Sequence, residues 1–151
     1  MRDIESDYDM GRWIAVLHHE AMRYFSERMD EYGLPHMAIP LLLRLREGPA
    51  PSQDVLCSVA ARDKANISRL LDTLEERGVV VREPDPEDSR VKRVRATDEG
   101  RALVPVIEDC LAQWNEMLTR GLTPEERSQG LALLQRMAEN CGHDMPCERR
   151  S

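Results

Sequence analysis

Four cations lie within six residues at Arg90, Lys92, Arg93 and Arg95, and Asp88 is the one acid between residues 88 and 95. A cluster of that density attracts phosphate, and its guanidinium groups suit a narrow, strongly negative groove. The plainer reading is a strand edge kept charged against aggregation. A second group, Lys64, Asn66, Ser68 and Arg69, holds side chains that bind phosphate or make bidentate hydrogen bonds to base edges. Other groups offer less. His18, His19 and Glu20 are consecutive, and neighbours on a helix diverge by about 100°, so they do not share one metal ion. The stretch Cys141-Gly142-His143-Asp144-Met145-Pro146-Cys147 puts two thiols and an imidazole close together. That spacing is open to zinc or to a redox disulfide, with an idle tail as the plainer alternative, and no metal is assigned. The chain has no nucleophile elbow, phosphate-binding glycine loop or paired-metal motif, so neither an enzyme nor a cofactor is expected.

The chain has 151 residues and a formal net charge of −7, a balance that argues against general nucleic-acid binding. The distribution is uneven. Residues 62–101 hold ten Lys/Arg against ten Asp/Glu, residues 1–61 six against ten, and residues 102–151 five against eight. A small basic patch is thus carried on an acidic frame. Apolar residues make up 41% and charged residues 32%, as in a globular protein, and no apolar run approaches a membrane span. The acidic start, Met1-Arg2-Asp3-Ile4-Glu5, does not resemble a secretory signal, so a cytoplasmic protein with its four cysteines reduced is expected. Aromatics at 4% and eight methionines favour helices over a sandwich of strands.

The elements that must position these groups follow from periodicity. Met10, Ile14, Leu17, Ala21 and Tyr24 step by four and three, predicting a helix of about twenty residues that ends before Gly33 and packs its broad apolar face either in the core or against a second copy of the chain. The same stripe, with Met22 and Trp13, is open to an effector pocket as a rarer use. A short helix carries Leu41, Leu42 and Leu45, with Pro40 in its first turn and Gly48-Pro49 as its stop. Ser52 is expected to cap a third helix that buries Val55, Leu56 and Val59 and stops around Ala60-Ala61. Asp63 caps a fourth, with Ile67, Leu70, Leu71 and Leu74 inward, Ala65, Arg69, Asp72 and Glu76 outward, and Gly78 as terminator. Val79–Arg82 and Val91–Arg95 read as strands around a Pro84–Asp88 turn. Thr97 opens a long helix striped by Leu103, Ile107, Leu111, Trp114 and Leu118, and Thr123-Pro124-Glu125-Glu126 opens a sixth with Leu131, Leu134 and Met137 as its core face. Cys110, beside the apolar stripe of the long helix, fits as a small core filler. The expected fold is mostly α: six helices, a helix-turn-helix and a small β-hairpin.

Four segments in fixed order carry a resemblance: Asp63-Lys64-Ala65-Asn66-Ile67-Ser68-Arg69-Leu70-Leu71-Asp72, Leu74-Glu75-Glu76-Arg77-Gly78, Asp85-Pro86-Glu87-Asp88-Ser89-Arg90 and Thr97-Asp98-Glu99-Gly100. Together they resemble the MarR family of bacterial transcription regulators, by motif from about Ser52 to Gly100 and by helix pattern elsewhere. The resemblance implies a winged helix-turn-helix, with residues 1–33 as an N-terminal dimerisation helix, 34–101 as the DNA-binding domain and 102–151 as C-terminal dimerisation helices and tail. It implies a homodimer on an inverted-repeat operator in double-stranded DNA. Lys64, Asn66, Ser68 and Arg69 would contact the major groove, and Arg90, oriented by Asp88, the minor groove, with Lys92 beside it. A repressor released by a small-molecule effector or a redox signal is the implied activity. Five positions depart from the family pattern: Ala61 stands at the turn glycine, Val55 at a polar position, Ser89 at a second wing arginine, and Ala65 and Asn66 where small hydroxyl residues are common. The competing reading is a helical sensor or protein-interaction module that uses the scaffold without reading DNA, which the acidic total favours.

Overall fold

The computed structural model describes residues 4–59 and 64–142. Its elements are α1 (Ile4–Asp30), α2 (Ala38–Arg44), α3 (Gln53–Val59), α4 (Lys64–Glu76), β1 (Val80–Pro84), β2 (Lys92–Ala96), α5 (Asp98–Leu118) and α6 (Pro124–Asn140). This is the expected order of four helices, a hairpin and two helices. Asp63, Ala60, Ala61, His143 and Cys147 lie outside the described residues. The chain divides into two compact units, Met1–Trp114 and Asn115–Ser151.

The first unit holds the core. Ile67, Leu71 and Leu74 of α4 are fully buried against Met29, Leu34, Leu42, Leu56, Val94 and Ile107. Each element therefore contributes one apolar stripe to a single cluster, the pattern expected of packed layers. Cys110 joins the buried set and Cys57 packs against it. Where α1 meets α5, Tyr24, Phe25 and Trp114 cluster in edge-to-face and tilted contacts with ring centroids 5.4 to 5.8 Å apart.

Helix ends obey local chemistry. Gly78, at φ +70°, ends α4, with its N–H bonded to the Glu75 carbonyl and the Val79 N–H to the Leu74 carbonyl, a Schellman closure. Thr97 is the joint between the hairpin and α5. Its hydroxyl donates to the Gly78 carbonyl at 2.6 Å and accepts the Gly100 N–H at 3.1 Å. Gly100 is required there, because a Cβ would lie 2.0 Å from the Val79 carbonyl oxygen. In the second unit Thr123 and Glu126 form the reciprocal capping box ahead of α6, with Pro124 at the start.

Five expectations need correction. α1 begins at Ile4, about six residues before the apolar stripe does, because acidic residues are favoured at a helix N terminus without being periodic. β1 runs on to Pro84, which pairs with Lys92, and β2 spans Lys92–Ala96; a proline is tolerated at a strand end, where it forfeits one ladder bond. Val55 is exposed, since it lies in the first turn of a two-turn helix that buries only its Leu56 side. Met10, Trp13, Ile14 and Leu17 are exposed rather than core. None of the residues of α6 is buried, and Leu131 and Leu134 are more than half exposed. Periodicity marks a face as apolar without saying what covers it.

Candidate nucleic-acid interface

The outward side of α4 is polar because the inward side is fully committed to the core. Lys64, Ala65, Arg69, Asp72 and Glu76 are exposed, with Asn66 and Ser68 half-buried at the flanks. Arg69 donates through Nη2 to Asn66 Oδ1 at 2.6 Å, one turn back, which presents the pair as a joined donor–acceptor surface. Lys64 Nζ reaches Asp54 Oδ1 of α3 at 2.9 Å, with both groups open to solvent. An exposed pair of this kind is held weakly and is free to exchange for a phosphate.

The hairpin presents the remaining group. Its antiparallel register pairs Val80 with Ala96, Arg82 with Val94 and Pro84 with Lys92 on one face, and Val81 with Arg95 and Glu83 with Arg93 on the other. Residues 85–91 turn on Asp85, whose Oδ1 accepts the Glu87 and Asp88 N–H groups at 2.8 and 3.2 Å. Beyond it Asp88 Oδ1 accepts both the backbone N–H and Nε of Arg90, each at 3.1 Å. The Arg90 side chain is 90% exposed, so the carboxylate fixes its root while the guanidinium stands in solvent. Lys92 is exposed at the start of β2.

The basic cluster read from the sequence separates into two kinds. Arg90 and Lys92 face solvent at the tip. Arg93 is spent on structure, with Nε on Asp85 Oδ2 and Nη1 on the Ala50 carbonyl at 3.2 Å. Arg95 pairs with Glu83 at 2.9 Å. Arg82 sits on the inner face of the hairpin and bonds Glu75 and Asp72 of α4. Arg77 at the end of α4 donates to the Tyr32 carbonyl at 2.7 Å and fills the space beside Gly33. These contacts cross between elements, and no local spacing announces them.

Of the other groups singled out, His18 and His19 are exposed on α1 and Cys141 is exposed at the end of α6. Burial pushes the Cys110 thiol up, which keeps it protonated and unreactive. A cleft of about 110 Å³ opens between the end of α1 and the middle of α5, with Arg28, Glu31, Tyr32, Asp109, Cys110 and Gln113 in its wall. Among the described residues, no helix is long and apolar enough to cross a membrane.

Among the described residues of this unit three carboxylates are held below the ordinary range, exposed Glu20 by Arg23 one turn on and the other two by contacts between elements. Glu75 is held below the ordinary range first by its hydrogen bonds from Arg82, and Asp85 first by that from Arg93 and then by two backbone N–H groups. A carboxyl that loses its proton more readily folded than unfolded stabilises the fold above its unfolded value, and that contribution fades as pH falls through the lowered folded value. The thermal midpoint is therefore expected to stay level from about pH 7 to about pH 5 and to drop below about pH 4. Asp85→Asn should lower the plateau and shrink the drop. A midpoint that rises on acidification, or an Asp85→Asn curve parallel to that of the parent, contradicts this assignment.

Comparison with known proteins agrees with the geometry. A sequence model described as MarR family matches residues 32–91. The helix-turn-helix-type transcriptional repressor NicR of Pseudomonas putida is 30% identical over 116 residues, spanning 77% of this chain and 73% of the repressor. Among solved structures, a MarR transcriptional regulator from Methanosarcina mazei superimposes with a TM-score of 0.80 at 27% identity, covering 89% of this chain and 96% of that one. The transcriptional repressor CouR, solved on a 23-mer DNA duplex, shares the fold with a TM-score of 0.78 at 24% identity, over 91% of this chain and 98% of that one. With α4 backed by a compact core and followed by a charged two-stranded wing, the chain belongs to the MarR family of winged helix-turn-helix transcriptional regulators.

Proposed function

We propose that this chain is a dimeric repressor that reads an inverted repeat in double-stranded DNA and works beside the chromosome in the cytoplasm, as a regulator and not an enzyme. The observation that carries this reading is Arg90, anchored at its root by Asp88 yet 90% exposed at the end of a ribbon that has no core to cover there. A cation held in that manner is placed for a partner, and a narrow minor groove is the partner that rewards a guanidinium. Lys64, Asn66, Ser68 and Arg69 of α4 meet the major groove, with Arg69 suited to guanine and Asn66 to adenine. Lys92 adds a phosphate contact beside the wing. The repressor bound to a 23-mer duplex has the same fold.

Residues 1–33 and 102–151 supply the dimer contacts and residues 34–101 the DNA-binding domain. Each unit leaves an apolar stripe open, Met10, Trp13, Ile14 and Leu17 in the first and Leu131, Leu133 and Leu134 in the second. Exposed stripes of this size mark an interface, and two-fold pairing places two copies of α4 about one DNA turn apart. The polar cleft between α1 and α5 is the place for a small polar effector. Cys110 is buried at its wall, which shields the thiol from oxidants and makes a ligand the better signal there.

The test is enrichment of a random-sequence duplex library by the full chain, with sedimentation at micromolar concentration run in parallel. An inverted repeat with half-sites about 10 base pairs apart, bound by a dimer and weakened steeply by salt, is expected. A folded monomer, or a library that returns no shared sequence, overturns the reading and leaves the protein-interaction module.

A further inference from the structure

The hairpin is only two strands wide, and a lone ribbon of that kind has little stiffness of its own. Its base is set by Val80, Val94 and Ala96, which are buried, but beyond the pair of Arg82 and Val94 the strands leave the core. Something else must fix the angle between ribbon and α4. On the β2 edge, the Val94 N–H bonds the Pro51 carbonyl at 2.9 Å and Ser52 bridges Arg93. On the β1 side the tie is ionic. Arg82 lies on the inner face directly beyond Val80, where the next apolar residue would stand, and its side chain is 20% exposed. Its backbone N–H donates to Glu75 Oε1 at 2.8 Å, and its Nε and Nη2 grip Glu75 Oε2 at 3.0 and 2.7 Å, while Nη2 also meets Asp72 Oδ1.

A half-buried guanidinium is costly unless each donor is matched, and here the matching is made across elements. Both carboxylates lie on α4, three residues apart. Asp72 is also one turn beyond Arg69, on the exposed side, where an unpaired acid would repel phosphate. The guanidinium plane therefore locks the ribbon to the helix in two places and cancels charge on the helix's outer side.

We propose that Arg82, clasped by Glu75 and Asp72, is a positioning residue for DNA binding, setting the wing's angle to α4 so that Arg90 reaches its groove while α4 occupies the neighbouring one. The proposal rests on the DNA-binding reading above. It differs from a direct phosphate contact by Arg82 in one respect that can be measured. If Arg82 touched phosphate, neutralising Glu75 would leave affinity unchanged or raise it. If Arg82 positions the wing, neutralising Glu75 loosens the wing and the advantage of Arg90 is lost.

The experiment is a pair of double-mutant cycles, Arg82→Gln with Arg90→Ala and Glu75→Gln with Arg90→Ala, on one duplex selected by the parent protein, at a temperature well below every variant's thermal midpoint. Hydroxyl-radical footprints accompany the affinities. Arg90→Ala is expected to cost about tenfold in the parent and less than about threefold in either clasp variant, the coupling of residues that act together. Footprints should lose the flanking minor-groove protection in both clasp variants and keep the protection of the half-site centres. Glu75→Gln retains an amide oxygen for the Arg82 backbone N–H, so it tests the idea even where Arg82→Gln folds poorly. Equal Arg90→Ala costs in all backgrounds, or a Glu75→Gln protein that binds as tightly as the parent, overturn the proposal while DNA binding stands. A parent protein that selects no duplex removes the DNA-binding reading itself.

Discussion

Replacing Arg90 with alanine lowers affinity for a selected duplex about tenfold or more and leaves the thermal midpoint within about 1 °C of the parent. The asymmetry follows from where the side chain stands. Its guanidinium is 90% exposed and bonded to Asp88 alone among the described hydrogen bonds, at the tip of a loop that covers no core. Removing it deletes the proposed contact to DNA and almost nothing from the folded chain. Titration at several salt concentrations identifies the contact: a phosphate partner reduces the salt slope by about one unit for every sequence, whereas a narrow-groove partner costs most on A·T-rich flanks. Arg69→Ala belongs to the same class, because Arg69 is exposed and its Asn66 partner is on the same helix. Parent-like affinity in both variants leaves the proposed interface without support.

The second large effect is on stability. Gly100→Ala is expected to lower stability by about 3 kcal/mol and the thermal midpoint by on the order of 10 °C. The reason is rigid geometry: the added methyl would meet the Val79 carbonyl oxygen at 2.0 Å and the Val79 carbonyl carbon at 3.1 Å. Those atoms are backbone, and the same carbonyl already accepts the Thr97 N–H at 3.1 Å. No rotamer change can make room, so either α5 or β1 must shift. Gly130 provides the control within the same chain. It lies inside α6 with nothing within 4 Å of a built Cβ, so Gly130→Ala should stabilise by up to about 1 kcal/mol. Circular dichroism melts of the two variants decide the matter, and a Gly100→Ala midpoint equal to the parent's would refute the clash.

Much of the frame was legible from residue types alone, and the limits have physical causes. Ile67, Leu71 and Leu74 revealed α4 because one face of a helix repeats, and Gly78 revealed its end because the left-handed conformation at φ +70° favours glycine. Thr123 and Glu126 revealed the start of α6 because a capping box is a contact between near neighbours in sequence. Asp88 and Arg90 are likewise two residues apart, and the structure joins them. Arg82, Glu75 and Asp72 were not legible as a unit. Their bonds span seven to ten residues and two elements, and charge complementarity at that range leaves no period. Arg93 misled for the same reason: four cations close together suggest one surface, yet which of them is consumed internally depends on where Asp85 folds. Leu131 and Leu134 of α6 gave a face but not its cover, since a stripe made for a second copy reads the same as one made for a core.

The Thr97 hydroxyl joins the Gly78 carbonyl, just past the end of α4, to the Gly100 amide in the first turn of α5, so one oxygen that accepts from Gly100 as it donates to Gly78 closes a contact between residues 19 apart. Fluctuations at that point cannot be private to one element. If the base of the ribbon opens, α5 loses its cap, and if the first turn of α5 frays, the exit of α4 loses its partner. Motion that begins at the wing tip meets the Arg82 clasp to α4 first and this oxygen next, and a disturbance that reaches Thr97 touches both helices together.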